Sequence, residues 1–327
     1  RGHRRGAAAR SAPPPALMIA APAETSASVA HRRSSGARPV LFDRPNWTAD
    51  SPAGRLFSAA DSAANPTVLL RDCLRTAISL AGTFAKALEL LPTRELERAV
   101  VLLALTDVLF ATANGPGTLE SRVDDLDRIA FAIARALRGE AGGPAGESFA
   151  QRLAAESRRR GFTRQALDDL FDAARSAARK RRPETPEALA LRAQRFAEAF
   201  ATALFGAEPT PAVVDLGAGL LRLAALQALA GDLRAGHCAL PESELAEPLQ
   251  YRTQAEIGAA VERECAELRQ LLLRGARAAG EVPLSFRRPV VFLLPVALSL
   301  LGLLEDCPPE LARRTPTVGK WTLRRAY

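Results

Sequence analysis

Residues 215–245 read DLGAGLLRLAALQALAGDLRAGHCALPESEL. The front of this stretch is almost entirely Ala, Leu and Gly, and it predicts a helix over 211–233. The back changes character. Asp232, Gly236, His237 and Pro241 bring polar and turn-forming residues, and LPESELAEP (240–248) breaks the pattern.

The chain has 327 residues, 48% of them apolar and only 5% aromatic. Ala, Leu and Arg dominate, and all three cost little in a helix, so an all-α fold is the expectation. Net charge is +8, unevenly spread. Residues 1–64 hold nine Arg against four acids, while the remaining 263 residues carry 35 basic and 32 acidic side chains. The basic balance therefore belongs to the leader, and no nucleic-acid partner is expected. The run RSAARKRRPE (175–184) reads as a solvated helix end. The four cysteines, Cys73, Cys238, Cys265 and Cys307, are far apart and form no CxxC, which fits a reducing compartment. His237 is the single histidine outside the leader, so a Ser–His–Asp triad lacks material.

Residues 1–64, with APPPA at 12–16, show no sustained period and read as disordered. Their Arg-rich, acid-poor composition resembles an organellar transit peptide. From 65 to 315 the pattern is helical, and 316–327 reads as a tail. The stretch 68–92 places Leu69, Cys73, Ala77, Leu80 and Phe84 on one apolar stripe and predicts one helix. Residues 93–114 predict a central buried helix, with Thr93 as N-cap and Glu95 and Glu97 early in its course. Further helices are expected over 119–138, 147–159, 163–180, 186–205, 211–233, 253–279 and 286–304. The run VVFLLPVALSLLGLL (290–304) is short for a membrane span and contains Pro295, so it reads as a buried helix. A peripheral membrane contact is the alternative.

Five segments, in order, resemble the head-to-head prenyl synthases, meaning the squalene, dehydrosqualene and phytoene synthases. They are TFAKALELLP (83–92), SRVDDLDRIAFAIARAL (121–137), EALALRAQRFAEAF (187–200), the opening stretch 215–245, and FRRPVVFLLPVALSLLGLLED (286–306). The resemblance implies a single all-α domain around a central apolar cavity. It also implies two Asp-rich helices that hold Mg²⁺ against a departing diphosphate, since Mg²⁺ takes hard oxygen ligands.

Counting from Leu90-Leu91-Pro92, the family's first Asp-rich motif falls on Phe110, Ala111 and Asn114, its Tyr on Leu103 and its Arg on Asp107. Counting back from Gly236 and Pro241, the second motif falls on Ala224, Gln227, Ala228 and Asp232, and the Arg and Tyr after its Gly fall on His237 and Ala239. Asp232 is thus the one vestigial ligand. VDDLD (123–127) and DDLFD (168–172) are acidic but read as helix surface, the latter as an acidic first turn.

The expectation is a degenerate family member without a metal cofactor. It would act as a binding or assembly factor of the respiratory complex I type, with a membrane-associated protein partner and an isoprenoid or lipid in its cavity. A mitochondrial location is expected, and a cytoplasmic one peripheral to a membrane is the alternative. The competing reading is a Mg²⁺-dependent prenyltransferase that condenses two allylic diphosphates.

Overall fold

Ten α-helices and one 3-10 helix make up a computed structural model that describes residues 66–115, 117–140, 147–160, 162–180, 182–234, 238–245, 252–306 and 318. Among the described residues there is no strand. The leader 1–64 lies outside them, as do Gly236, His237 and Cys307 and, apart from Val318, the tail. All of the described residues belong to one compact unit.

The helices begin where short polar side chains can hold their free N–H groups. Thr118 starts α3 (Leu119–Leu137), Thr163 starts α5 (Arg164–Arg179) and Thr185 starts α6 (Pro186–Phe205). Each hydroxyl accepts from the backbone N–H three residues on, at 3.1–3.2 Å. Thr253 opens α8 (Gln254–Gly275) with a reciprocal capping box to Glu256. The capping N–H bonds hold the Glu256 carboxyl below its ordinary range.

Three boundaries differ from the sequence expectation. The stretch 68–92 is not one helix: α1 (Pro66–Ala81) gives way at Gly82 to a 3-10 helix (Gly82–Leu90). Gly82 has φ +50, a left-handed conformation that glycine reaches without a Cβ clash. Thr93 does not cap α2 (Thr93–Ala113). Pro92 takes the cap position in extended conformation, and Thr93 is the first helical residue. The expected helix 253–279 divides into α8 and the short α9 (Ala278–Glu281).

Two cores share the molecule. The first wraps α2, which is buried along nearly its whole length, with α1, α3, α4 (Glu147–Arg160) and α5 around it. The second joins the 3-10 helix, α7 (Pro211–Arg234), α8, α9 and α10 (Leu284–Asp306). Helix α6 serves both. Phe196, Ala199 and Ala203 face the first core, and Ala193, Ala197 and Ala201 face the second. Spacings of three and four put each set on its own side of the helix.

The second core depends on close helix approach. A Cβ at Gly275 of α8 would lie 2.8 Å from the Leu216 backbone of α7, and one at Gly219 would meet Leu272 at 2.9 Å. A buried ion pair crosses the same interface. Arg222 binds Glu264 twice, at 2.7 and 2.6 Å, and reaches Glu267 at 2.7 Å. Burial works against the Arg222 charge, but the hydrogen bonds of the two carboxylates outweigh it and raise the guanidinium above its ordinary value. At the residue next to Glu264 on α8, burial beside Glu305 and Glu264 pushes the Cys265 thiol up to about 12.

Arg182 corrects a further expectation. It lies in the basic run read as solvated, yet it is only 8% exposed. Its guanidinium donates to the carbonyls of Leu240, Pro241 and Leu245, clamping the turn after α7. The backbone seals the same seam: Glu242 N–H donates to Pro183 O and Ser243 N–H to Glu184 O, both at 2.9 Å. Arg179, Lys180 and Glu184 of the run are exposed as expected, with Lys180 paired to Glu184.

Gly275→Ala should destabilise the protein by about 1–3 kcal/mol, because the new methyl meets backbone rather than a yielding side chain. Glu264→Gln should cost about 1–3 kcal/mol by leaving the buried guanidinium with the half-exposed Glu267 as its remaining carboxylate, while Arg222→Met with Glu264→Leu should cost clearly less. Urea unfolding of the three variants measures both effects.

Candidate functional site

Where the two cores meet, the helices do not close. A cavity of about 280 Å³ remains between α2, α6, α7, the 3-10 helix and α10. Helix α2 contributes Ala99, Leu103 and Thr106, α6 contributes Phe196, Phe200 and Leu204, and α7 runs along it to Ala224. Phe286, Pro289 and Leu293 of α10 complete the far side. Among the described residues Thr106 is the single lining side chain that carries an oxygen or nitrogen, and its hydroxyl donates to Leu102 O at 2.9 Å. The wall therefore offers shape and apolar contact, with no charge. The volume sits near the lower end of small-molecule sites.

The positions singled out from the sequence distribute around this cavity in a definite way. Leu103 and Ala224 are part of its wall. Phe110, Ala111, Asn114, Ala228 and Asp232 are not. The wall ends at Thr106 on α2 and at Ala224 on α7. Phe110 and Ala228 each follow four residues later, about one helical turn. Phe110 is buried, with its ring edge against Phe196 at 5.0 Å between centroids. Ala111 and Ala228 are buried as well, and Asn114 is half-buried at the C-cap of α2. Gln227 donates from Nε2 to Thr83 Oγ1 at 2.8 Å, tying α7 to the 3-10 helix. Asp232 is 2% exposed and Asp107 7% exposed. Ala239 is half-buried just before the turn at 240–245.

The acidic clusters lie elsewhere. Asp124, Asp125 and Asp127 are exposed on α3; Asp125 pairs with Arg128 at 3.0 Å and Asp127 with Arg175 at 2.6 Å. On α5, Asp172 also pairs with Arg175, Asp168 lies 3.7 Å from Arg164, and Asp169 accepts from Gln165. Asp169 and Asp172 border a surface groove that Lys180, Arg192 and Arg195 also line. Among the described residues no group of three or more His, Cys, Asp or Glu is placed to share a metal ion.

Sequence reading did not find the α6 share of the wall. Phe196, Phe200 and Leu204 recur at a spacing of four, and that stripe is the signal that marks them. Nor did it find that Asp107, one turn before Ala111 in a run of apolar residues, is a buried carboxylate.

A helical shell around a central apolar cavity defines the all-α isoprenoid-synthase fold. The solved structures agree. A dehydrosqualene synthase crystallised with a ligand superposes with a TM-score of 0.63 at 13% identity, covering 84% of this chain and 96% of that one. Squalene synthase HpnC from Alicyclobacillus acidocaldarius superposes with a TM-score of 0.59 at 18% identity, covering 75% and 97%. Comparison with curated proteins finds no match. The squalene/phytoene synthase family model matches residues 81–322, and the chain belongs to that family.

A neutral apolar fluorophore should bind the cavity, and Ala224→Phe, which fills it from the α7 side, should weaken that binding about tenfold or more. The melting temperature should hold or rise. Unchanged binding in a folded Ala224→Phe protein would place the probe elsewhere.

Proposed function

We propose that this chain is a non-catalytic member of its family that works by binding. Its cavity holds an aliphatic or isoprenoid chain, and its outer surface serves a membrane-associated protein complex, of the kind that the assembly-factor branch of the family serves. One observation carries this reading. The cavity keeps an open apolar wall up to Thr106 and Ala224, while the next turn on each helix presents Phe110, Ala111 and Ala228.

The donor set argues the same way. Of the seven counted motif positions Phe110, Ala111, Asn114, Ala224, Gln227, Ala228 and Asp232, one bears a carboxylate and two a carboxamide. Mg²⁺ prefers near-octahedral oxygen coordination, and neutralising a departing diphosphate takes several carboxylates working together. This set does not fit that ion. Apolar residues at buried positions also avoid the cost of burying unpaired charge.

A second reading, a prenyltransferase that joins two allylic diphosphates, draws on family membership and on Asp107 and Asp232. These are two buried carboxylates, one on each of the main cavity helices.

One assay separates the two readings. The full chain incubated with farnesyl or geranylgeranyl diphosphate and Mg²⁺ should release no diphosphate above the no-protein control. Turnover that Asp232→Ala abolishes would overturn the non-catalytic reading and establish the enzyme.

A further inference from the structure

The outer face of α10 is apolar and exposed. Leu284 and Val291 are 75% and 59% exposed. Pro295 is exposed, and Leu294, Leu298 and Gly302 are half-exposed. Residues 291, 295, 298 and 302 follow one another at spacings of four, three and four, so they form a single strip. The opposite side of the helix faces inward, with Phe292, Val296 and Leu300 buried in the second core. Charge bounds the strip at both ends, with opposite sign. Arg287 and Arg288 are exposed in the first turns, and Glu305 and Asp306 close the last. Between Arg288 and Glu305 the helix carries no charge.

That pattern is its own complement. A two-fold axis between positions 296 and 297 lays a second copy of α10 antiparallel on the first. Arg287 then meets Asp306, and Arg288 meets Glu305. Val291 falls opposite Gly302, and Pro295 opposite Leu298. A two-fold contact requires this reciprocity, because each patch must match itself. Gly302 supplies room: a Cβ built there would find nothing within 4 Å, so a partner's Val291 can approach the backbone. The antiparallel arrangement also opposes the two helix dipoles. A bilayer fits less well, because the two acids at one end of the strip would face anionic headgroups.

We propose that the outer face of α10 is a self-association surface that pairs antiparallel with the same face of a second copy of this chain. One helix strip is smaller than the roughly 800 Å² per partner of a standard stable interface. The dimer is therefore weak and concentration-dependent. The charge pair that tests it is Arg287 with Asp306, because Glu305 is already paired with Arg269 of its own chain.

Sedimentation velocity on the full chain over a range of concentrations should show a monomer–dimer equilibrium. Arg287→Glu alone, or Asp306→Arg alone, should weaken it about tenfold, because each sets like charges opposite one another at two symmetric places. Mixing the two variants in equal amounts should restore association, since both contacts then pair opposite charges. Neither change threatens the fold: a Glu in the first turn and an Arg in the last both suit the helix dipole, and thermal melts check this. A monomer at every concentration, a dimer indifferent to both substitutions, or a mixture that fails to recover would overturn the proposal. So would a monomer that floats with anionic vesicles and loses them on Val291→Asp, which would assign the face to lipid.

Discussion

Helix α6 has to belong to two cores at once, and the rest of the structure follows from how it manages this. Its Ala positions let neighbouring helices come close on both sides, as where Ala197 sits 3.0 Å from the Cβ position of Gly217. Its larger residues, Phe196, Phe200 and Leu204, stand where α2 and α7 are held apart. Small residues decide where the helices touch, and large ones decide where they cannot. The cavity is the space left over by that division. Because α2 and α7 each meet α6 more firmly than they meet one another, the space between them survives without any polar group to hold it open.

Buried arginines tie the outer parts to this frame. Arg98 donates to Ala203 O in the last turn of α6 at 2.6 Å, with its guanidinium 4.6 Å from the centre of the Phe162 ring. Arg122 donates to Ala178 O in the last turn of α5 and to Gly117 O before α3. Arg182 gathers three carbonyls of the turn after α7. In each case a cation answers carbonyl oxygens, two of the three times at a helix C-terminus, where the backbone dipole favours positive charge. The planar fork of arginine suits this role, since one side chain can bond several acceptors in fixed directions. The chain thus uses its most abundant cation as internal fastening as well as surface charge.

The helices were legible in the sequence because their signals are local. Thr followed by an apolar period, Pro at a first helical position and the Gly/Pro breaks are each read within a few residues. The bend at Gly82 was less legible, because Gly inside an apolar stripe is compatible with a continuing helix; only the packing of the 3-10 helix against α10 decides otherwise. Arg182 was misread for a similar reason. Inside a basic run it looks like its neighbours, and its burial depends on the turn at 240–245, far away in sequence. The cavity was expected from family resemblance. Its wall could not be derived from one chain, because it reflects the volumes of side chains on several helices that meet only in the fold.

The lining has a consequence for how the protein responds to compression. Water stays in an apolar site when it finds two or more polar partners there, and among the described residues this wall presents a single hydroxyl that is already engaged with a backbone carbonyl. The cavity, partly open at its mouth, is therefore poorly hydrated volume that the unfolded chain gives back. Hydrostatic pressure acts on that difference, with a volume decrease on unfolding on the order of tens of mL/mol. A hydrocarbon occupant would cancel part of it, so resistance to pressure reports occupancy of the cavity without reference to any reaction.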